Sequence, residues 1–441
     1  MRGTGGKKIV FFDSWTKGVR NLLPLQSGLS VHGVECLLIH RGSWGAEPNR
    51  PTEEVIEGLC CRDIRRYHGL VYAALRSERP NLVVIDTTNY IADRSVILAA
   101  RALGIQSCFI MHGIRHISMN GREADEAASK HYLRSKRWRR AVKYFRHTIP
   151  DYFLSGVAEA PSFAFQPGPY WALVKTFLSP ERHVLYPDPS PELHCDRALV
   201  WAEAYKDLFV EDYGYPAERV RVVGHPPLDP VFRIATSSPP SVAERNAFLS
   251  QHGIPASGAF TVYLEDAFVE SGYDGWTVPT RVAHLEEIAR ASSGAGRVLV
   301  IKVHPTTEMR GIREHFSADP RVRVIGRTDL PRLISLAESV IGHVSSTVDI
   351  AISLRKPVLV PRWGISTNVP DLFVHRGVAL PCDSPDALRD ALQDPHRHDA
   401  IMAVNVQHYI ARFITWQDGN SVERIVKSLL EQLDLWMPPR T

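Results

Sequence analysis

Three short apolar runs, each followed by a polar turn, organise the stretch from residue 297 to 361. The runs occupy 298–301, 339–343 and 356–361. Their length and β-branched content predict buried strands, and the amphipathic segments between them predict helices. Strands that alternate with helices are typical of a parallel sheet covered by helices on both faces. The stretch therefore predicts an α/β domain.

Polar side chains follow two of these predicted strands. The first strand runs into Lys302-Val303-His304-Pro305, and the second into Ser345-Ser346-Thr347. The carboxyl ends of parallel strands form the edge of the sheet where ligands bind. Hydroxyls and backbone N–H groups at the start of a helix can hold a phosphate, although serine and threonine are also common helix caps. A histidine before a proline can equally be an ordinary loop residue.

The order of these motifs resembles the donor-binding domain of bacterial GT-B transferases. Lys-x-His-Pro, then Ser-Ser-Thr before a helix that ends in Arg-Lys-Pro-Val, is similar to capsule Kdo transferases, bacterial polysialyltransferases and teichoic acid glycerophosphotransferases. In these families the His-Pro histidine and the Ser-Ser hydroxyls contact the phosphate of a cytidine nucleotide donor. The donor-nucleotide site that the resemblance implies contains Lys302, His304, Pro305, Ser345, Ser346 and Thr347.

Candidate catalytic groups follow predicted strands in the first half of the chain. Asp86 ends an apolar run at 82–85, and His112 follows another at 106–111. Neighbouring strand ends would place both at one edge of a sheet, where a base can deprotonate an acceptor hydroxyl. The sequence strand, His-Gly, basic segment also resembles the glycerophosphotransferases, whose histidine is the proposed base. We therefore expect His112, or failing it Asp86, to be the base.

A cluster of lysines and arginines at 130–147 is the most unusual segment. Its apolar residues, which include Leu133, Trp138 and Phe145, can share one face of a helix. A basic amphipathic helix with aromatic residues suits an anionic membrane surface, and it would suit an acidic polysaccharide equally well. A solvated basic helix packed on its own domain is the simpler alternative. No nucleic-acid-binding motif accompanies the segment, so we expect no nucleic acid partner.

The length of 441 residues predicts two domains. The segment Thr236-Ser237-Ser238-Pro239-Pro240-Ser241 is the best linker, because proline and serine interrupt regular structure. We expect an acceptor-side Rossmann-like domain at 1–235 and a donor-binding Rossmann-like domain at 236–441, whose last helix can cross back. A valine-rich strand before Gly224-His225-Pro226-Pro227-Leu228-Asp229 resembles the end of the first domain in GT-B enzymes.

Three more acidic residues are candidates for the cleft between the domains. Asp13 follows the apolar run at 9–12, and Glu265 and Asp266 follow the run at 260–264 near the start of the second domain. A second candidate base and a solvated loop are both open for the Glu265–Asp266 pair. The opening strand–helix–strand unit lacks Gly-x-Gly-x-x-Gly, so no dinucleotide cofactor is indicated.

Composition predicts a cytoplasmic protein. The net charge is +4 and 44% of the residues are hydrophobic, which is enough for packed cores. The six cysteines lack the paired spacing of a zinc site, so we expect buried free thiols in a reducing compartment. The apolar run at 9–12 is too short for a signal peptide, and no run reaches the ~18 apolar residues of a membrane span. Peripheral binding to the inner face of the membrane through 130–147 remains compatible with this.

The sequence thus predicts an α/β protein of GT-B type, with two Rossmann-like parallel-sheet domains facing a cleft. The function expected is a metal-independent glycosyltransferase of capsule or related surface polysaccharide synthesis. It would transfer a sugar from a CMP- or CDP-linked donor to a glycan or lipid-linked acceptor, with no cofactor. The alternatives are a CDP-glycerol-type polyol-phosphate transferase, a UDP-sugar 2-epimerase and a non-catalytic polysaccharide-binding protein.

Overall fold

The computed structural model describes residues 6–13, 19–44, 49–86, 91–111, 194–256, 258–305, 307–369, 371–397 and 399–435. The chain divides into two compact units. The first unit is Met1–Pro226 with Asn420–Thr441, and the second is Pro227–Gly419. Each unit contains its own sheet flanked by helices, so the predicted α/β class is confirmed.

The described strands of the first unit form a sheet in the order β3-β4-β2-β1-β5-β6-β7-β8. Their pairings are parallel except for the antiparallel pair β3–β4. The strands are β1 Lys8–Asp13, β2 Glu35–His40, β3 Glu53–Ile56, β4 Leu59–Asp63, β5 Leu82–Ile85, β6 Gln106–Ile110, β7 Arg197–Val200 and β8 Val220–Val222. The centre of β1 is buried on both faces, as expected for a parallel strand covered by helices on both sides.

Helices of the first unit pack on this sheet. The α-helices are Val19–Ser30, Val71–Glu78, Ile91–Ala102, Glu203–Asp207 and Ser421–Leu435. Short 3₁₀ segments lie at Gly42–Trp44, Ile64–Tyr67 and Ala217–Arg219, and a π-helical turn at Leu208–Asp212.

The helix Ser421–Leu435 belongs to the first unit although it follows the whole second unit in the chain. It buries Ile425, Leu429 and Leu433 in one core with residues of the helix Val19–Ser30. Gly224 has φ +91°, and a Cβ atom there would lie 2.3 Å from the Ser421 hydroxyl. The backbone of the first unit therefore passes very close to the start of this helix.

The described strands of the second unit form a parallel sheet in the order β11-β10-β9-β12-β13-β14. The strands are β9 Phe260–Leu264, β10 Val298–Lys302, β11 Val322–Ile325, β12 Ser339–Ile341, β13 Val358–Pro361 and β14 Leu380–Cys382. The strands predicted at 298–301, 339–343 and 356–361 are all present. The second ends at Ile341, two residues earlier than predicted.

Helices of the second unit fill the connections between these strands. They are Asp229–Thr236, Val242–Gln251, Phe268–Ser271, Val278–Gly294, Met309–His315, Leu330–Leu336, Val348–Ser353, Leu372–His375, Pro385–Gln393 and Asp399–Tyr409, with a 3₁₀ segment at Gly364–Asn368 and a π-helical turn at Ile410–Ile414.

The boundary between the two units lies after Pro226. The composition of the linker segment predicted it between residues 235 and 236. The reason is the helix Asp229–Thr236, which packs on the helices Leu330–Leu336 and Val348–Ser353 of the second unit. The predicted linker follows that helix, and its Ser241 side chain caps the helix Val242–Gln251. Within the part of the chain that the structure describes, no helix is long and apolar enough to cross a bilayer. The six cysteines are free thiols.

Candidate functional site

The loops that leave β9, β10 and β12 lie at one edge of the second sheet. They carry Glu265, His304 and Ser345 respectively. Strand β9 lies between β10 and β12, so the exits of those two strands are about 9–10 Å apart. The predicted His-Pro and Ser-Ser-Thr motifs therefore flank the exit of β9.

Lys302 at the end of β10 and His304 in the following loop both make hydrogen bonds within the second unit. The Lys302 ammonium donates to the carbonyl oxygen of Val303 at 2.8 Å. Burial lowers the pKa of Lys302, while the Glu265 carboxylate acts in the opposite direction. The peptide N–H of His304 donates to Glu265 Oε2 at 3.2 Å. Pro305 is exposed.

The Ser-Ser-Thr segment is half-buried and makes local hydrogen bonds. The Thr347 N–H donates to Ser345 Oγ at 3.3 Å, and the Thr347 hydroxyl donates to the same oxygen at 2.8 Å. The helix Val348–Ser353 begins directly afterwards. Ser345 therefore accepts both hydrogen bonds within the turn that precedes this helix, whose first residues have no side-chain cap. Among the described residues, the Ser346 hydroxyl makes no hydrogen bond.

The acidic pair after β9 is buried and hydrogen-bonded. The side chains of Glu265 and Asp266 are each 3% exposed. Burial raises the pKa of Glu265, against the opposing hydrogen bonds from Thr307 and His304 and the charge of Arg281. The alternative of a solvated acidic loop is therefore wrong. Sequence reasoning missed this burial because the partners lie on loops and a helix that are distant in the chain.

Behind the Ser-Ser-Thr segment, the Asp349 side chain is buried and bonded to a distant tyrosine. The Tyr409 hydroxyl donates to Asp349 Oδ1 at 2.7 Å. Burial raises the pKa of Asp349 to about 7, although the Tyr409 hydrogen bond and the Arg376 charge oppose the shift. This contact ties the helix Val348–Ser353 to the helix Asp399–Tyr409.

The carboxyl edge of the first sheet carries a different set of groups. Asp13 is the last residue of β1, and Asp86 directly follows the neighbouring strand β5. Burial raises the pKa of Asp86 well above its usual value, and the carboxylates of Asp13 and Asp93 add to this, with Arg41 opposing. The structure therefore brings two of the predicted acidic residues together.

Arg41 and Asp93 were missed by sequence reasoning. The Arg41 guanidinium is fully buried, lies 5.1 Å from the Phe12 ring centroid and donates to Asp93 Oδ1 at 2.9 Å. Arg41 directly follows β2, at the same edge as Asp13 and Asp86. Applying the strand-end rule to β2 would have identified it.

His112 and the basic segment 130–147 lie outside the described residues. Met111, just before His112, is described, and its N–H donates to the carbonyl oxygen of Leu199 at 2.9 Å. The chain thus reaches residue 111 at the carboxyl end of β6. The roles of His112 and of 130–147 stay predictions. Within the described ranges, no three His, Cys, Asp or Glu side chains are grouped so that they could hold a metal ion.

Neither a protein-family model nor a curated protein matches the sequence. Solved structures match it in fold. The spinosyn forosaminyltransferase SpnP is 14% identical, with a TM-score of 0.51 over 98% of this chain and 100% of that chain. The UDP-GlcNAc 2-epimerase of Methanocaldococcus jannaschii, in complex with UDP-GlcNAc and UDP, is 14% identical, with a TM-score of 0.53 over 96% and 99%. The glycosyltransferase VinC, in complex with dTDP, is 14% identical, with a TM-score of 0.50 over 97% and 99%.

The protein has the GT-B fold. Its two Rossmann-like domains match these glycosyltransferases and this sugar-nucleotide epimerase over nearly their whole length, which confirms the predicted architecture. At 14% identity the likeness concerns the fold alone.

Proposed function

We propose that the protein is a glycosyltransferase that transfers a sugar from a nucleotide donor to an acceptor hydroxyl. This proposal depends mainly on one observation. His304 follows β10 and the hydroxyls of Ser345–Thr347 follow β12, so both motifs lie at the same edge of the second sheet. The likeness in fold to glycosyltransferases supports it. The neighbours in complex with UDP and dTDP support a nucleotide-activated donor.

The donor side of the reaction needs hydrogen-bond donors for phosphate. Negative charge grows on the phosphate oxygens as the sugar leaves, so groups that donate to them stabilise the transition state. We assign this role to the His304 imidazole and to the hydroxyls of Ser345 and Ser346. The Thr347 hydroxyl donates to Ser345 Oγ and so orients it. Lys302 adds positive charge at the same edge.

The acceptor side needs a base. We assign this role to Asp86, which lies at the carboxyl edge of the first sheet; burial and the neighbouring carboxylates raise its pKa, which makes the carboxylate a stronger proton acceptor. His112 is the alternative base that the resemblance implies. No metal ion is required by either assignment.

The resemblance to capsule and teichoic acid enzymes supports a finer assignment. It favours a CMP- or CDP-linked donor and a glycan or lipid-linked acceptor in bacterial surface polysaccharide synthesis. The same resemblance includes polyol-phosphate transfer, in which the donor is of the CDP-glycerol type. Product analysis by mass spectrometry separates the two, since polyol-phosphate transfer adds phosphorus to the acceptor and sugar transfer from CMP-, UDP- or dTDP-linked donors does not.

A thermal-shift panel of UDP, dTDP, CMP and CDP tests the donor assignment. A nucleotide that binds only the native state raises the melting temperature by mass action. We expect a shift with at least one nucleotide, and its loss in Ser345→Ala/Ser346→Ala. The control is Ser317→Ala, which removes an exposed serine hydroxyl elsewhere in the second unit. Equal shifts in the double variant and the wild type would show that the nucleotide does not bind at this edge.

A UDP-sugar 2-epimerase is the second candidate function. The fold likeness to the epimerase in complex with UDP-GlcNAc favours it. An epimerase acts on one substrate, so the discriminating measurement is incubation with the nucleotide sugar alone, followed by NMR of the sugar ring. Epimerisation of the nucleotide sugar without an acceptor would identify the protein as an epimerase instead of a transferase.

A further inference from the structure

Glu265 holds the loop after β10. Its Oε2 atom accepts the peptide N–H of His304 at 3.2 Å and the Thr307 hydroxyl at 2.7 Å. Thr307 is buried, and its hydroxyl also lies 3.3 Å from Glu270 Oε2. One carboxylate oxygen thus binds two points of the segment that carries the His-Pro motif. We refer to residues 303–305 and 307 as the β10 loop.

Asp266 holds the loop after β12 in the same way. Its Oδ2 atom accepts the peptide N–H of His343 at 3.3 Å. The His343 Nδ1 atom lies 3.5 Å from the same oxygen, and the imidazole is 0% exposed. His343 comes two residues before Ser345. We refer to residues 342–347 as the β12 loop.

The position of β9 explains how two consecutive acids serve two different loops. Strand β9 pairs with β10 on one side and β12 on the other. The backbone N–H of Glu265 still donates to the Lys302 carbonyl at 3.1 Å, so the pairing with β10 continues beyond the strand. The chain that leaves β9 therefore lies between both loops and can contact each of them.

Burial of these carboxylates is costly unless they are paired. An uncompensated buried charge destabilises a protein, whereas hydrogen bonds and an opposite charge offset the loss of water. Arg281 supplies the opposite charge: its Nη1 atom lies 3.7 Å from Glu265 Oε1 and 2.7 Å from Glu270 Oε1. The Glu265 carboxylate that holds the β10 loop is thus itself held in place by Arg281.

We propose that Glu265 and Asp266 are positioning residues that orient the β10 and β12 loops for binding the phosphate of the nucleotide donor. This rests on the proposed function, and it deepens that function by separating the residues that touch the donor from those that place them. It also removes both acids from the candidates for the base, because one oxygen of each already accepts hydrogen bonds from the loops.

The test compares truncation with conservative replacement. Glu265→Ala and Asp266→Ala remove the acceptors, whereas Glu265→Gln and Asp266→Asn keep a carbonyl oxygen in place. We expect the alanine variants to weaken binding of the tightest nucleotide among UDP, dTDP, CMP and CDP by about 10- to 100-fold, by analogy with the loss seen when groups that hold metal ligands in place are removed. The amide variants should recover most of this loss. Isothermal titration calorimetry measures the affinities.

Hydrogen exchange supplies a readout that does not depend on a nucleotide. Glu265→Ala should speed exchange in the β10 loop alone, and Asp266→Ala in the β12 loop alone, with the strands of the second sheet unchanged. Glu286→Gln is the matched control, since that exposed glutamate lies on the same helix as Arg281. It should change neither exchange nor affinity.

The outcomes separate the two proposals. If the wild type binds no nucleotide, the proposed function fails, and hydrogen exchange alone decides the positioning role. Unchanged exchange in both alanine variants overturns that role. A Glu265→Gln or Asp266→Asn variant that binds nucleotide normally but loses turnover also overturns it, because that result identifies a base.

Discussion

The carboxyl edges of the two sheets have the same architecture and opposite chemistry. In the first unit, Arg41 pairs with Asp93, and burial together with the carboxylates of Asp13 and Asp93 raises the pKa of Asp86 against the Arg41 charge. In the second unit, the acids bond to backbone N–H groups, and imidazole and hydroxyl groups follow β10 and β12. In the proposed function, the first edge accepts a proton and the second donates hydrogen bonds to phosphate. The fold thus supplies positions, and the residues at the strand ends supply function.

The largest effect is expected from His304→Ala. Removing a donor to the developing phosphate charge typically costs about 10²–10³-fold in kcat. We expect a loss of turnover in that range or beyond, with the circular dichroism spectrum and melting temperature unchanged. Steady-state kinetics with the donor identified by the thermal-shift panel provides the measurement. Normal turnover in this variant would show that His304 at the second edge does not donate to the phosphate.

Asp86→Asn should reduce turnover by a comparable factor through a different step. Asparagine cannot accept a proton, and loss of a general base costs about 10²–10⁴-fold. Nucleotide affinity should stay unchanged, because the donor site is assigned to the second unit. Parallel measurement of kcat and nucleotide affinity checks this. If Asp86→Asn is active and His112→Ala is not, the base is His112 and the first edge has another role.

Asp349→Asn should alter the pH dependence of stability. Because burial raises the pKa of Asp349 from 3.8 to about 7, the folded protein binds its proton more tightly than the unfolded chain. The stabilising contribution is complete below about pH 4 and is lost as the pH rises to about 7. We expect the Asn variant to lack this decline, which is on the order of 2–4 kcal/mol. Urea unfolding at pH 4.5 and pH 8 provides the comparison, and identical pH slopes would contradict the assignment.

Asp13→Asn should shift a pH profile with less effect on maximal rate. The Asp13 charge raises the pKa of Asp86, so its removal lowers that pKa. A base must be deprotonated to act, so the acidic limb of the kcat/KM profile should move to lower pH. A limb that stays in place would show that Asp86 is not the titrating group.

The smallest effect is expected from a chelator. The proposed chemistry uses side chains at both edges, so activity in EDTA should equal activity in buffer. Loss of turnover in EDTA that magnesium or manganese restores would show that the reaction requires a metal ion, and one of the two edges would then have to bind it. The assay needs only the wild type and the donor already identified.

Much of the second unit could be predicted from sequence because its signals are local. The strands at 298–301, 339–343 and 356–361 are marked by short apolar runs, and each is present. Two features depended on distant partners instead. The burial of Glu265 requires N–H and hydroxyl groups from the β10 loop, and the division at Pro226 requires packing of the helix Asp229–Thr236 on the second unit. No local pattern contains that information.

The positions of the candidate site residues could be predicted because they also follow from local signals, whereas their ionisation could not. Strand ends located Asp13, Asp86, His304 and Ser345, because ligand positions in a parallel sheet follow from strand order. The raised pKa of Asp86 could not be anticipated, since it comes from burial and from the carboxylates of Asp13 and Asp93, which lie on other elements of the fold. The sequence indicates where such groups lie, and only the packed structure gives their ionisation.

The helix Ser421–Leu435 has a consequence for how the protein is made. Its residues Ile425, Leu429 and Leu433 complete a core of the first unit, yet the ribosome synthesises them after the entire second unit. Domains generally fold as they emerge during translation. The second unit can therefore finish folding while the first still exposes apolar surface around Leu25 and Leu29. Nascent chains of this protein should depend on chaperones until the returning helix leaves the ribosome.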